Sequence, residues 1–126
     1  MDTSLIPEGF RQVRGLRREW NQLHTIELVI VSPLKRTLQT ATELFKEHPV
    51  PMIALECSRE YPMGLQTCNK RSSRDSLKIK YPQVNFDDLQ TNYDEMWFPH
   101  REETLEELNS RIEKLKEFIV SRPETH

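Results

Sequence analysis

Ser32, Pro33 and Arg36 stand directly after an apolar, β-branched run, Ile26, Leu28, Val29, Ile30 and Val31, interrupted only by Glu27. Such a run reads as a short buried strand over residues 26–31. Ser-Pro at its carboxyl end starts a helix, with Ser32 as N-cap and Pro33 or Leu34 as the first helical position. Arg36 then falls on the first turn. Open α/β sheets bind ligands beyond the carboxyl ends of their strands. Free helix amides there attract an anion, and a guanidinium adds paired donors that match phosphate oxygens. Taken alone, Ser-Pro-x-x-Arg is more often an ordinary helix start with a surface arginine.

A carboxyl comes next. Glu60 follows a second apolar stretch, residues 52–55. If the two strands are parallel, Glu60 and Arg36 rise from the same sheet edge. A carboxyl beside a phosphate protonates a leaving oxygen when burial or nearby negative charge raises its pKa. Gly64, four residues on, suits a loop that passes close to a ligand. Arg59, Lys70 and Arg71 add positive charge for a further anionic group. Taken singly, each of these charged residues reads more readily as a solvated loop or surface charge.

The elements that must hold these groups are legible from periodicity. Pro7 and Glu8 suit a helix start, and Phe10, Val13, Leu16, Trp20 and Leu23 recur at helical spacing. Arg11, Arg14, Arg17 and Arg18 mostly avoid that stripe and read as a solvated face. After Ser32, a second helix buries Leu34, Leu38, Ala41, Leu44 and Phe45 and ends at His48-Pro49. Residues 52–55 form the second strand, and residues 56–74 a long loop. Ser72-Ser73-Arg74-Asp75 reads as a capping box for a short helix that ends before Pro82. Residues 81–100 are irregular and aromatic. A last helix starts near Thr104 and carries Leu105, Leu108, Ile112, Leu115 and Ile119. The order makes the fold α/β. Only two strands are legible, and two parallel strands do not make a stable sheet between helices. The sequence reads as a sheet whose central strands are absent.

Composition narrows the function classes. The chain has 126 residues, the size of one ordinary domain, and a formal net charge of −2. With a pI near 6.1 it is not built for general nucleic-acid binding. Residues 28–31 are the longest uncharged apolar run and are far too short to span a membrane. Residues 1–10 lack the basic start and apolar centre of a signal peptide. Cys57 and Cys68 have no metal-type spacing, and a reducing, cytoplasmic setting is expected.

The segment Val31-Ser32-Pro33-Leu34-Lys35-Arg36-Thr37-Leu38-Gln39-Thr40-Ala41 closely resembles the Ser-Pro-Leu-x-Arg-x-x-Gln-Thr-Ala segment of the histidine phosphatase superfamily, the phosphoglycerate mutase-like proteins. Leu5-Ile6-Pro7-Glu8-Gly9-Phe10-Arg11-Gln12 resembles that family's entry to the helix before the strand. Cys57-Ser58-Arg59-Glu60-Tyr61, Gly64 and Cys68-Asn69-Lys70-Arg71 are similar to the loop that bears its proton donor, most of all in a plant-like branch. Glu103-Thr104 and Arg111 fit the helix that precedes its second histidine. The resemblance implies a three-layer α/β/α fold and phosphoryl transfer through a phosphohistidine. It makes Arg36 a phosphate-binding arginine and Glu60 the proton donor. Ser32, Arg59, Lys70 and Arg71 are the remaining candidates for substrate binding. No metal and no organic cofactor is implied, because cationic side chains stabilise the transferred charge.

The resemblance also implies parts that this chain lacks. The family's nucleophile stands in an Arg-His-Gly motif before the position of Leu5, and its second histidine follows a strand after the last helix. The four histidines here, His24, His48, His100 and His126, follow no apolar strand and read as surface residues. Residues 1–126 are therefore expected to form one incomplete phosphoglycerate mutase-like domain, lacking central strands and inactive alone. Its expected partner is a phosphorylated small molecule or phosphoprotein, with no nucleic acid and no membrane. Exposed sheet edges make self-association a further expectation. The alternative is a non-catalytic anion-binding or regulatory interaction module.

Overall fold

A computed structural model describes the whole chain, Met1–His126. Its order is α1 (Pro7–Glu19), β1 (Val29–Val31), α2 (Lys35–Leu44), β2 (Met52–Ala54), α3 (Arg74–Lys80), β3 (Val84–Asn85) and α4 (Leu105–Val120). The strands form one parallel sheet in the order β1-β2-β3, with Val29 opposite Met52 and Met52 opposite Val84. The fold is α/β, as expected, and the sheet is small.

The sheet departs from the sequence reading at both edges. β1 begins at Val29 rather than Ile26 because residues 26–28 are drawn elsewhere. The Glu27 carboxylate accepts from the Thr125 and His126 amides, and the Glu27 amide donates to the His126 carbonyl. β3 lies in the stretch read as irregular. Two residues give no period-2 pattern to find, yet Val84 and Phe86, which directly follows the strand, are buried in the core.

One apolar cluster holds α1, α2, α3 and the sheet together. Leu38, Ala41, Leu44 and Phe45 of the α2 stripe meet Ala54, Leu77, Phe86 and Leu89 there. α1 joins it mainly through Val13, while Leu16 stays half exposed. Arg17 corrects the reading of the arginines as a solvated face. It donates to the Glu43 carbonyl over 2.8 Å and pairs with Glu47 at 3.1 Å, so it clasps α1 to α2.

α4 is attached differently. Thr104 and Glu107 form a reciprocal capping box at its start. Hydrogen bonds from Arg101, the strongest influence, and the Thr104 amide pull the Glu107 carboxyl down to about 2. Yet the residue α4 buries is Arg111, and Leu105, Ile112 and Ile119 of its apolar stripe are exposed. The outer edge of β1 is likewise uncovered, beside an apolar groove of about 450 Å³ lined by Leu28, Ile30, Thr40 and Leu44 among others. No helix is long and apolar enough to cross a membrane.

Candidate functional site

The β1–α2 corner and the loop after β2 meet. Arg36, in the first turn of α2, donates from Nη2 to Glu60 Oε2 over 2.7 Å and to Asn69 Oδ1 over 3.1 Å. Its Nη1 donates to the Cys68 carbonyl over 3.0 Å. Parallel pairing of β1 and β2 brings this about, since both connections leave the sheet at the same end. The Arg36 side chain is 24% exposed and that of Glu60 65% exposed. Of the five guanidinium hydrogens, the one on Nε and one on Nη1 have no protein partner. The pair does not line the cavities of about 420, 450, 280 and 180 Å³ found elsewhere on the molecule. It lies at an open surface as a closed ion pair.

Arg59 and Arg71 face the other way. Arg59 is buried and donates from Nη1 and Nη2 to both oxygens of Asp94, over 2.9 and 2.8 Å, and from Nη2 to the Asn69 carbonyl. Burial pushes the Asp94 carboxyl up, but the bonds and charge of Arg59 outweigh it and hold the group below its ordinary value. Arg71 is buried as well. It pairs with Glu56 and donates to the carbonyls of Ser72, Thr91, Asn92 and Tyr93. Both guanidiniums thus set the shape of the long loop, with their charge spent on protein carboxylates. Here the structure departs from their reading as substrate contacts. Lys70 is exposed, with Nζ 4.8 Å from the centre of the Trp97 ring.

Ser32 is buried but is not the N-cap. Leu34 occupies that position, and the Ser32 hydroxyl has no hydrogen-bond partner. The cap comes from far away. Asp2 Oδ1 accepts from the Lys35 amide over 2.9 Å. A helix-end amide expected to attract an anion therefore already holds the protein's own carboxylate. Ser73 caps α3 by accepting from the Ser76 amide, without the reciprocal half of a capping box, because Ser76 carries no carboxylate to return the bond. Gly64 is also placed differently from expectation. Its close neighbour is the Arg101 carbonyl, which a Cβ at Gly64 would meet at 2.1 Å, and its φ is +100°. Glycine is required there to let two protein segments touch.

A family-level comparison covers the whole chain. The model of the histidine phosphatase superfamily (branch 1) matches residues 1–126. The chain belongs to the histidine phosphatase superfamily. It is 32% identical to a phosphoglycerate mutase-like protein of Arabidopsis thaliana, over 98% of this chain and 56% of that protein. It is 31% identical to phosphoglycerate mutase-like protein 1 of the same plant, over 98% and 54%. A probable phosphoglycerate mutase of Arthroderma benhamiae is 30% identical, over 95% of this chain and 39% of that protein. The chain spans about half the length of the two plant relatives. No solved structure matches.

Within this histidine phosphatase chain, all four histidines are exposed, and none hydrogen-bonds to Arg36 or Glu60. No group of three or more His, Cys, Asp or Glu side chains is arranged to hold a metal ion. Sequence reasoning missed Asp2 and Asp94. Asp2 acts only on groups at least 33 residues away, and Asp94, which also accepts from the nearby Met96 and Trp97 amides, reaches Arg59 and Arg71 across 35 and 23 residues.

Proposed function

We propose that this chain carries the Arg36 and Glu60 part of a phosphoglycerate mutase-like site that hydrolyses or transfers a phosphomonoester group. The observation that carries the reading is the 2.7 Å contact between these two side chains, one on the first turn of α2 and one in the loop after β2, beyond the carboxyl ends of adjacent parallel strands. Phosphoryl transfer asks a protein mainly for positioning and for fixed positive charge around the equatorial oxygens. Arg36 supplies that charge. In the complete site a phosphate dianion displaces the Glu60 carboxylate from Arg36, and Glu60 takes up a proton from water beside that negative charge and passes it to the leaving oxygen.

The nucleophile of such a site is an imidazole, as the family resemblance implies. With every histidine of this chain exposed and none bonded to Arg36, the 126 residues bind a phosphate group without turning it over. The ligand is a phosphorylated small molecule or a phosphoprotein, with Lys70 on the adjoining loop as a further contact. Two unpaired cysteines suit a reducing, cytoplasmic setting.

Titration of inorganic phosphate followed by calorimetry, together with an assay against p-nitrophenyl phosphate, tests this reading. The expected result is saturable phosphate binding that Arg36→Ala removes, with turnover no faster than background. Binding that survives Arg36→Ala, or no binding at all, would remove the reading.

A further inference from the structure

Asp2 is 7% exposed, and no cationic side chain pairs with it. A buried carboxylate without a counter-ion is costly unless hydrogen bonds hold it. Here three do. Oδ1 accepts from the Lys35 amide over 2.9 Å, and Oδ2 accepts from the Ser72 amide over 2.9 Å and the Ser72 hydroxyl over 3.0 Å. The positive end of α2 adds a favourable field. Next to Asp2, the Met1 ammonium donates to the Thr67 carbonyl over 2.6 Å.

The partners of Asp2 bracket Arg36 and the loop it holds. Lys35 precedes Arg36, and Ser72 follows Cys68 and Asn69, which Arg36 holds. Two struts therefore join the first turn of α2 to the loop over residues 67–72. One is the Arg36 guanidinium, whose direction matters for phosphate. The other is the Asp2 carboxylate, which touches no part of that guanidinium. Without Asp2, the first turn of α2 loses its cap and Arg36 alone sets the spacing between helix and loop.

We infer that Asp2 is a positioning residue for Arg36, fixing the guanidinium against the loop over residues 67–72 where a phosphate group that displaces Glu60 meets it. The inference rests on the phosphate-site reading for its purpose, but its geometry is testable apart from it. The test records the arginine side-chain ¹⁵N–¹H spectrum and titrates inorganic phosphate for the parent chain, Asp2→Ala, Asp2→Asn and Leu115→Ala. Asp2→Ala is expected to move the Arg36 signal towards that of unconstrained arginine and to weaken phosphate binding about five- to tenfold, the scale of a lost helix cap. Asp2→Asn keeps one acceptor for the Lys35 amide and falls between the two on both readouts. Leu115→Ala loosens α4 and leaves the Arg36 signal and phosphate affinity unchanged.

An Arg36 signal and affinity at parent values in the Asp2 variants would overturn the inference, and so would a Leu115→Ala effect equal to theirs. Should Asp2→Ala not fold, Asp2→Asn decides on the same criteria. If the parent chain binds no phosphate, the functional reading falls, and the movement of the Arg36 signal alone decides whether Asp2 positions it.

Discussion

Glu60 Oε2 accepts from Arg36 Nη2 over 2.7 Å, so the carboxylate takes a donor that a phosphate oxygen would also use. The Glu60 side chain is 65% exposed, and a pair this wet contributes at most about 1 kcal/mol. An incoming dianion can displace it. Glu60→Gln removes a competing negative charge and leaves a neutral amide in its place. Phosphate affinity of the variant should therefore rise, by about three- to tenfold at low salt, and the gain should shrink as salt is added. Calorimetric titration at two ionic strengths checks both points. Weaker binding in Glu60→Gln would mean that the carboxyl is not a competitor for Arg36.

Gly64 and Arg101 meet backbone to backbone. At φ +100°, with the Arg101 carbonyl 2.1 Å from where a Cβ would lie, alanine is excluded on both conformational and steric grounds. Neither neighbour is the end of a flexible side chain, so the Gly64–Glu102 bridge has to open. Gly64→Ala should cost roughly 2–4 kcal/mol, read as a lower urea midpoint. A variant as stable as the parent would show that the two segments are not held together.

The α/β order and the α2 stripe were legible because helical periodicity is a local signal, and Leu38, Ala41 and Leu44 carry it without help from elsewhere. The Arg36–Glu60 convergence was legible for a topological reason, since parallel strands send their carboxyl ends to one side. What the sequence hid is long-range polar pairing. Arg59 and Arg71 look like free positive charge until Asp94 and Glu56 are placed against them. Ser32 looks like a cap until Asp2, 30 residues earlier, is found in the role. β3 escaped because two residues cannot show a period.

Asp94 links the loop network to pH. Arg59 holds its carboxyl below the ordinary value of 3.8, against the upward push of burial. A group whose folded pKa is depressed gives stability that is fully present above the unfolded value and is lost as pH falls through the folded one. This contribution is thus complete at neutral pH and fades below 3.8. Asp94→Asn should lower neutral-pH stability by about 3–5 kcal/mol, since it leaves Arg59 buried without its main counter-charge. It should also flatten the acid limb of the stability curve. Urea unfolding across pH 7 to 3 measures both, and an unchanged acid slope would show that Asp94 is not a titrating group there.

Arg111 is the buried residue of α4, and it makes four bonds. Two go to the Glu103 carboxylate, one to the Cys57 carbonyl and one to the Arg59 carbonyl. α4 is therefore fastened by an ion pair where most helices use an apolar face, and the pair rests on the same turn that leads to Glu60. Glu103→Leu leaves the guanidinium buried with only two carbonyls and should cost about 3–5 kcal/mol. Replacing both partners, as Glu103→Leu with Arg111→Met, removes the uncompensated charge and fills the same space, so the double variant should lose less than Glu103→Leu alone. The order of the two urea midpoints is the test, because simple additivity would place the double variant lower. Amide exchange supplies the second readout. In Glu103→Leu, protection should fall along α4 and at residues 57–59 together, while the amides of α2 keep theirs, since their burial depends on the cluster around Leu38 and Phe86.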